Sequence, residues 1–173
     1  MYCTVIFLRL VGRLVTCCST DEIISSSNPL GKLSFGHCFN RPIDNIVFPK
    51  GLKLVTFGKF FNQSFRSLPG GIENIYIANL NNIYEIPTST QNVCYVHDGS
   101  TSIDIFNVLP CTITEITITR DISTDEVTVL TRLPESIKKI RLEFDYTEFI
   151  KKLIKVNPGC IVVDRDDNII HSL

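Results

Sequence analysis

Apolar residues along this chain fall into a triplet that recurs about every twenty residues. A proline comes first, and apolar side chains follow three, six and eight positions later. Pro49 leads to Leu52, Val55 and Phe57, and Pro69 to Ile72, Ile75 and Ile77. Pro110 leads to Ile113, Ile116 and Ile118, and Pro134 to Ile137, Ile140 and Leu142. Pro87 leads to Thr90, Val93 and Tyr95, with one polar member, and Ser27 stands in for the proline ahead of Leu30, Leu33 and Phe35. The leads thus stand at positions 27, 49, 69, 87, 110 and 134, and no two successive intervals are equal.

A constant triplet on a variable interval implies stacked coils. The triplet must hold its register because it packs on its neighbours, whereas a connecting arc can gain or lose residues. The last two members are two apart, the spacing that puts both on one face of a strand. Proline fixes φ and biases the preceding residue toward extended backbone, so it marks where the chain turns in. One such coil cannot bury its own apolar side, but a stack can, and the result is a parallel sheet along one side of a solenoid. The spacing is that of leucine-rich repeats. Ile116 and Ile140 are therefore expected in the core. The residues between core positions project from the open face: Lys32, Ser34, Leu54, Thr56, Asn74, Tyr76, Asn92, Cys94, Glu115, Thr117, Lys139 and Arg141. Such a face is the usual partner-binding surface of a solenoid. Asn74, Tyr76, Asn92, Glu115, Thr117, Lys139 and Arg141 are the candidate contacts, with the exposed aromatic Tyr76 toward one end and two cations at the other.

A second repeat overlies the first. Phe35, Gly36, Phe39 and Asn40 are matched in the next coil by Phe57, Gly58, Phe61 and Asn62, all at one offset. Phe39 and Phe61 are expected to fill the core, and Asn40 and Asn62 to bond turn backbone. Three positions beyond each triplet stand Cys38, Phe60, Leu80, Asp98, Asp121 and Asp145. Cysteine or aspartate there can satisfy turn amides; Phe60 and Leu80 cannot.

The segments Phe35–Ile43 and Phe57–Phe65 resemble the FNIP repeat, a leucine-rich-type unit named for its Phe-Asn-x-Pro core and known mainly from amoebae and the giant viruses that infect them. The resemblance is specific over about residues 27–77 and thins to its Pro and Ile-x-x-Ile-x-Ile halves over 78–142. Ser64 replaces the proline of the first copy, Pro42. Members of that family often carry an F-box, so the resemblance implies a target-recognition role of the ubiquitin-ligase-adaptor kind. The segment ahead of the array, 1–26, is too short for an F-box, and the repeat part alone is expected.

Three regions follow: a degenerate N-terminal repeat or cap over 1–26, the solenoid over 27–145, and a helix–strand cap with a polar tail over 146–173. Val5, Leu8 and Leu10 keep the triplet spacing and read as a degenerate first strand. Thr147 can cap a short helix to about Val156, with Phe149, Ile150, Leu153 and Ile154 inward. Ile161 and Val163 read as the last strand, and Asp164-Arg165-Asp166-Asp167-Asn168 as a mobile tail. That run lacks the glycine and distal glutamate of a calcium loop.

Composition narrows the function. Of 173 residues 44% are apolar and 20% charged, with a net charge of −1, so neither nucleic acid nor an anionic membrane is a favoured partner. The apolar stretch over 1–18 is broken by Arg9 and Arg13, unlike a signal peptide or a spanning helix. Seven scattered cysteines without a CxxC pair read as reduced thiols in a cytoplasmic protein, Cys17-Cys18 included. His37, His97 and His171 lie far apart; His97-Asp98 and Gly70-Gly71 read as turns. No catalytic, metal or cofactor constellation is recognisable. The expectation is a monomeric, non-enzymatic scaffold with a protein partner and no small-molecule substrate, cofactor or membrane. A membrane-anchored or secreted repeat protein, or a decayed copy without a partner, is the alternative.

Overall fold

In a computed structural model of the chain, each triplet becomes a strand and its lead-in. The structure describes residues 23–25, 31–97, 108–120, 133–144 and 156–172. Its strands are β1 (Ile23–Ser25), β2 (Lys32–Phe35), β3 (Leu54–Thr56), β4 (Asn74–Ile77), β5 (Asn92–His97), β6 (Glu115–Arg120), β7 (Lys139–Leu142), β8 (Ile161–Val163) and β9 (Ile169–Ser172). They form one nine-stranded sheet in chain order. From β2 to β8 every pairing is parallel. The chain is thus a leucine-rich-type repeat solenoid with a parallel sheet on one side and irregular arcs behind it.

Register repeats faithfully. Leu33, Val55, Ile75, Val93, Ile116, Ile140 and Val162 lie abreast across the sheet. All seven are at most 2% exposed, the condition under which a one-residue slip would turn a strand's core set outward. Inward-facing Phe35, Phe57, Ile77, Tyr95, Ile118 and Leu142 and the lead-in residues Leu52, Ile72, Thr90, Ile113 and Ile137 complete the core. Thr90, the polar member, donates its hydroxyl to the Ile72 carbonyl at 3.2 Å. In β8 the core residue is Val162, with the expected Ile161 and Val163 on the opposite face.

The lead-in is a tight turn. The amides of Leu52, Thr90, Ile113 and Ile137 donate to the carbonyls of Pro49, Pro87, Pro110 and Pro134 at 2.9–3.3 Å. The residue before each lead-in residue is glycine, serine or threonine. Where it is glycine, at Gly51, Gly71 and Gly159, φ is positive. Ser89, at the same place in the fourth coil, accepts from the Gly71 amide at 2.9 Å and donates to the Ile72 carbonyl at 2.8 Å. In the last coil Asn157 takes the proline's role: its carbonyl accepts from Cys160, and its side chain donates to the Pro134 carbonyl at 2.7 Å.

Just ahead of each strand, one carbonyl accepts two successive amides from the next coil. Gly31 accepts from Lys53 and Leu54, Lys53 from Glu73 and Asn74, Glu73 from Gln91 and Asn92, Gln91 from Thr114 and Glu115, and Thr114 from Lys138 and Lys139, all at 2.8–3.2 Å. This shared acceptor pins the starts of β3 to β7 to the preceding coil, and a single bond from the Ile161 amide to the Lys138 carbonyl at 3.0 Å does so for β8.

Behind the sheet, aromatic rings continue the stack. Phe35 lies on Phe57 at 4.9 Å and 6°, and Phe39 on Phe61 at 5.9 Å and 7°. Gly58 allows this approach: a Cβ there would collide with the Gly36 carbonyl oxygen and sit 2.5 Å from the His37 Cα. Asn40 Oδ1 accepts the Asn62 amide at 2.8 Å, and Asn62 Oδ1 accepts Asn81 Nδ2 at 3.0 Å. The asparagines therefore join coil to coil. Leu80-Asn81 stands where Phe61-Asn62 stands one coil earlier, with one residue fewer between the triplet and the pair. Leu80 is thus a core residue, 2% exposed, and not a misfit at a turn. Asn82 follows in left-handed geometry at φ 62 and opens a 3₁₀ turn over Ile83–Glu85. Phe60 is an exposed turn residue, set edge-on against His37.

An antiparallel strand stands at each end of the sheet. β1, within the expected N-terminal cap, pairs antiparallel with β2. The expected mobile tail is a hairpin turn: β9 returns antiparallel to β8. Asp164 organises it by accepting the amides of Asp166 and Asn168 at 2.8 and 2.9 Å, and Asp167 sits at φ 65. A reversal this short can only return antiparallel. The expected strand over Val5–Leu10, turn acceptors Asp98, Asp121 and Asp145, and helix from Thr147 lie outside the described residues; Val156, its last position, is buried.

The abreast register predicts that Ile116→Ala or Ile140→Ala costs about 2–5 kcal/mol in urea unfolding, the range for truncating a buried Leu or Ile. A cost near zero at both would contradict the core assignment.

Candidate functional site

Two rows of side chains cross the open face of the sheet. One runs Lys32, Leu54, Asn74, Asn92, Glu115, Lys139 and Ile161; the other runs Ser34, Thr56, Tyr76, Cys94, Thr117, Arg141 and Val163. Every candidate contact lies in one of these rows. The structure brings the seven together over four adjacent strands, β4 to β7.

The rows are less exposed than strand alternation predicts. Asn74, Tyr76, Asn92, Glu115, Lys139 and Arg141 are half-buried. Thr117, expected to be solvated, is only 4% exposed, and Cys94 beside it 1%. Strands about 4.8 Å apart set these short side chains among long neighbours, whose stems wall them in. Polar atoms link the two rows: Asn92 Nδ2 donates to Asn74 Oδ1 at 3.3 Å within the first, and Thr117 Oγ1, in the second, donates across to Asn92 Oδ1 at 3.4 Å. Burial raises the Tyr76 phenol pKa, and the nearby Cys94 and Glu143 add to the effect while Arg141 opposes it. Burial, then Glu143, pushes the Cys94 thiol up to about 12. Cys94 is therefore a protonated packing residue at neutral pH.

The two cations at the other end are already engaged. Lys139 Nζ and Arg141 Nη2 both reach Asp167 Oδ1, at 2.6 and 2.8 Å. Glu115 Oε1 lies 3.4 Å from Arg141 Nε and 3.9 Å from Lys139 Nζ. Arg141 Nη1 also donates to the Arg165 carbonyl at 3.4 Å. The turn between β8 and β9 is thus fastened onto the open face. The hydrogen bond from Lys139, then that from Arg141, holds the Asp167 carboxyl below the usual carboxylate range. The Asn168 side chain, then backbone amides, do the same for Asp164. These carboxylates serve their own turn and its docking, which accounts for the acidic run without a cation. Asp167 was legible only as part of a polar stretch; the signal for it was a run of Asp and Asn between two short apolar segments, the mark of a hairpin.

Elsewhere, Glu85, with a side chain 8% exposed, ties two arcs by accepting from Ser64 Oγ at 2.6 Å and pairing with Arg66 Nε at 2.8 Å. Cys38 and Cys111 are exposed free thiols, and Cys160 is a buried one. Among the described residues no helix is long and apolar enough to cross a membrane. The chain matches no protein-family model, no curated protein and no solved structure.

Brief alkylation with iodoacetamide, mapped by mass spectrometry, should label Cys38 and Cys111 and spare Cys94; rapid labelling of native Cys94 would contradict its burial. The docked turn should respond to acid. Because the folded Asp164 and Asp167 titrate below their unfolded value, their contribution is fully present above about pH 4 and fades as pH falls through the lowered values. The protection of β9 amides, measured against β4 as internal reference, should be high near neutrality and fall selectively as pH drops below about 4. An unchanged ratio would count against the docking role of these carboxylates.

Proposed function

We propose that the protein is a non-enzymatic interaction scaffold of FNIP-like repeats whose open sheet face recognises a protein target. The observation that supports it best is the unbroken register from β2 to β8, which arrays two rows of side chains at fixed spacing. A surface held by backbone bonds loses little freedom on binding, which favours recognition. Tyr76 supplies an amphipathic ring toward the end of the face that is thinner in charge, the kind of residue that dominates binding energy in interfaces. The Phe-Asn motif links this reading to target recognition of the ubiquitin-ligase-adaptor kind. The free thiols Cys38, Cys94, Cys111 and Cys160 fit a reducing, cytoplasmic setting.

Affinity capture with mass spectrometry tests the reading with three baits: the natural chain, Tyr76→Ala, and Lys50→Ala on an exposed arc. A target should be held by the first and third and lost by the second, with all three showing the same circular dichroism. Identical capture by all three baits would refute the surface assignment.

A further inference from the structure

Lys139 and Arg141 share one face of β7, two residues apart, about 7 Å along the strand. Both nonetheless converge on a single carboxylate oxygen, Asp167 Oδ1. Their side chains are only 27% and 18% exposed, whereas the Asp167 side chain is 57% exposed and is carried on a surface turn. The fixed element is therefore the cation pair, and the exchangeable one is the acid. Glu115 faces the same pair from longer range, at 3.4 and 3.9 Å, and balances only one of the two charges. With Asp167 lifted away, one positive charge on the face is left without a counter-charge.

We propose that Lys139 and Arg141 form an acceptor for an acidic side chain of a protein segment lying along the open face, and that Asp167 fills this acceptor in the free chain. This rests on the interaction reading of that face. An incoming carboxylate replaces Asp167 like for like and leaves neither half-buried cation unpaired. A neutral or cationic group would leave one of the two charges uncompensated beside Glu115, at a desolvation penalty, so the site selects acids. The row through Arg141 passes Thr117 and Cys94 to Tyr76, three strand spacings or about 14 Å away. An extended chain covers that distance in about four residues. The segment that fits thus carries an Asp or Glu about four residues from a side chain that packs on the Tyr76 ring. Asp167 competes with it, and apparent affinity is lowered by the fraction of molecules in which the turn is docked.

The probe is fluorescein-labelled poly-L-glutamate, followed by anisotropy at low salt. Asp167→Asn removes the charge but keeps an amide side chain tolerant of left-handed backbone. It should bind several-fold more tightly than the natural chain. Asp166→Asn makes the same charge change one residue away, outside the cation pair, and should bind like the natural chain. Adding Lys139→Gln to Asp167→Asn should abolish the gain. Asp167→Gly, suited to the same backbone geometry, should reproduce it if the asparagine variant folds poorly by circular dichroism. No gain for Asp167→Asn and Asp167→Gly, an equal gain for Asp166→Asn, or a gain that survives Lys139→Gln each overturns the acceptor. The two failures read differently: loss of the Asp167→Asn gain sinks the acceptor alone, whereas capture indifferent to Tyr76 sinks the interaction reading.

Discussion

In each coil from β2 to β6, the carbonyl just ahead of the strand accepts two successive amides from the coil that follows, and the rest of the solenoid is placed by that contact. Two amides on one oxygen fix both the position and the direction in which the next strand sets off. The backbone contact and the buried triplet thus specify the same register. This is why the interval between leads drifts from coil to coil while the core triplet does not. An extra residue in an arc is absorbed at the surface, where insertions are tolerated. An extra residue in the strand would turn every core side chain of that coil outward.

The aromatic stack is a second, more local device. Phe35 on Phe57 and Phe39 on Phe61 are near-parallel pairs, and each ring needs a flat partner in the adjacent coil. The approach also needs backbone without a Cβ at Gly58, since any side chain there meets the turn of the preceding coil. Phenylalanine and glycine therefore change together, to Ile77-Ala78 in the third coil, whereas the asparagine link continues through Asn81. Once Leu80 and Ile77 take over from the rings, the constraint lapses. The array continues with the proline turn and a mainly aliphatic core, into which Tyr95 and Thr90 are also built. The specific motif is thus confined to the first coils for a packing reason.

The strand triplet was legible because it keeps a fixed internal spacing, and every described coil confirms it. What escaped was whatever depends on a count of residues in the arcs or on contacts across the sheet. Leu80 looked misplaced at a turn because a fixed offset from the triplet was applied across a one-residue deletion; its neighbour Asn81, bonded to Asn62, shows its true position. Thr117 looked exposed because strand alternation tells which face a residue takes, not how tall its neighbours are. The tail looked mobile because its acids were weighed as solvated charge. Their partners are Lys139 and Arg141, 28 and 26 residues away from Asp167. Of the candidate site, the rows were readable and the occupancy of their charged end was not.

That occupancy follows from how the sheet is closed. A parallel stack leaves an open edge at each end, and an uncovered edge invites pairing with another chain. Here antiparallel strands cover both edges, β1 at one and β9 at the other. A parallel cover would need a further full coil, but an antiparallel one needs only a tight turn. At the C-terminal end that turn cannot stay out of the way. It leaves β8 beside Val163, in the same row as Arg141, so its residues arrive within reach of the open face. A neutral turn would set the half-buried Lys139 and Arg141 against Glu115 alone. An acidic turn supplies the missing charge, and Asp167 can take the left-handed geometry that the reversal requires. Closing the edge and neutralising the face are therefore one construction, and any partner that uses this end of the face must contend with the cap that finishes the fold.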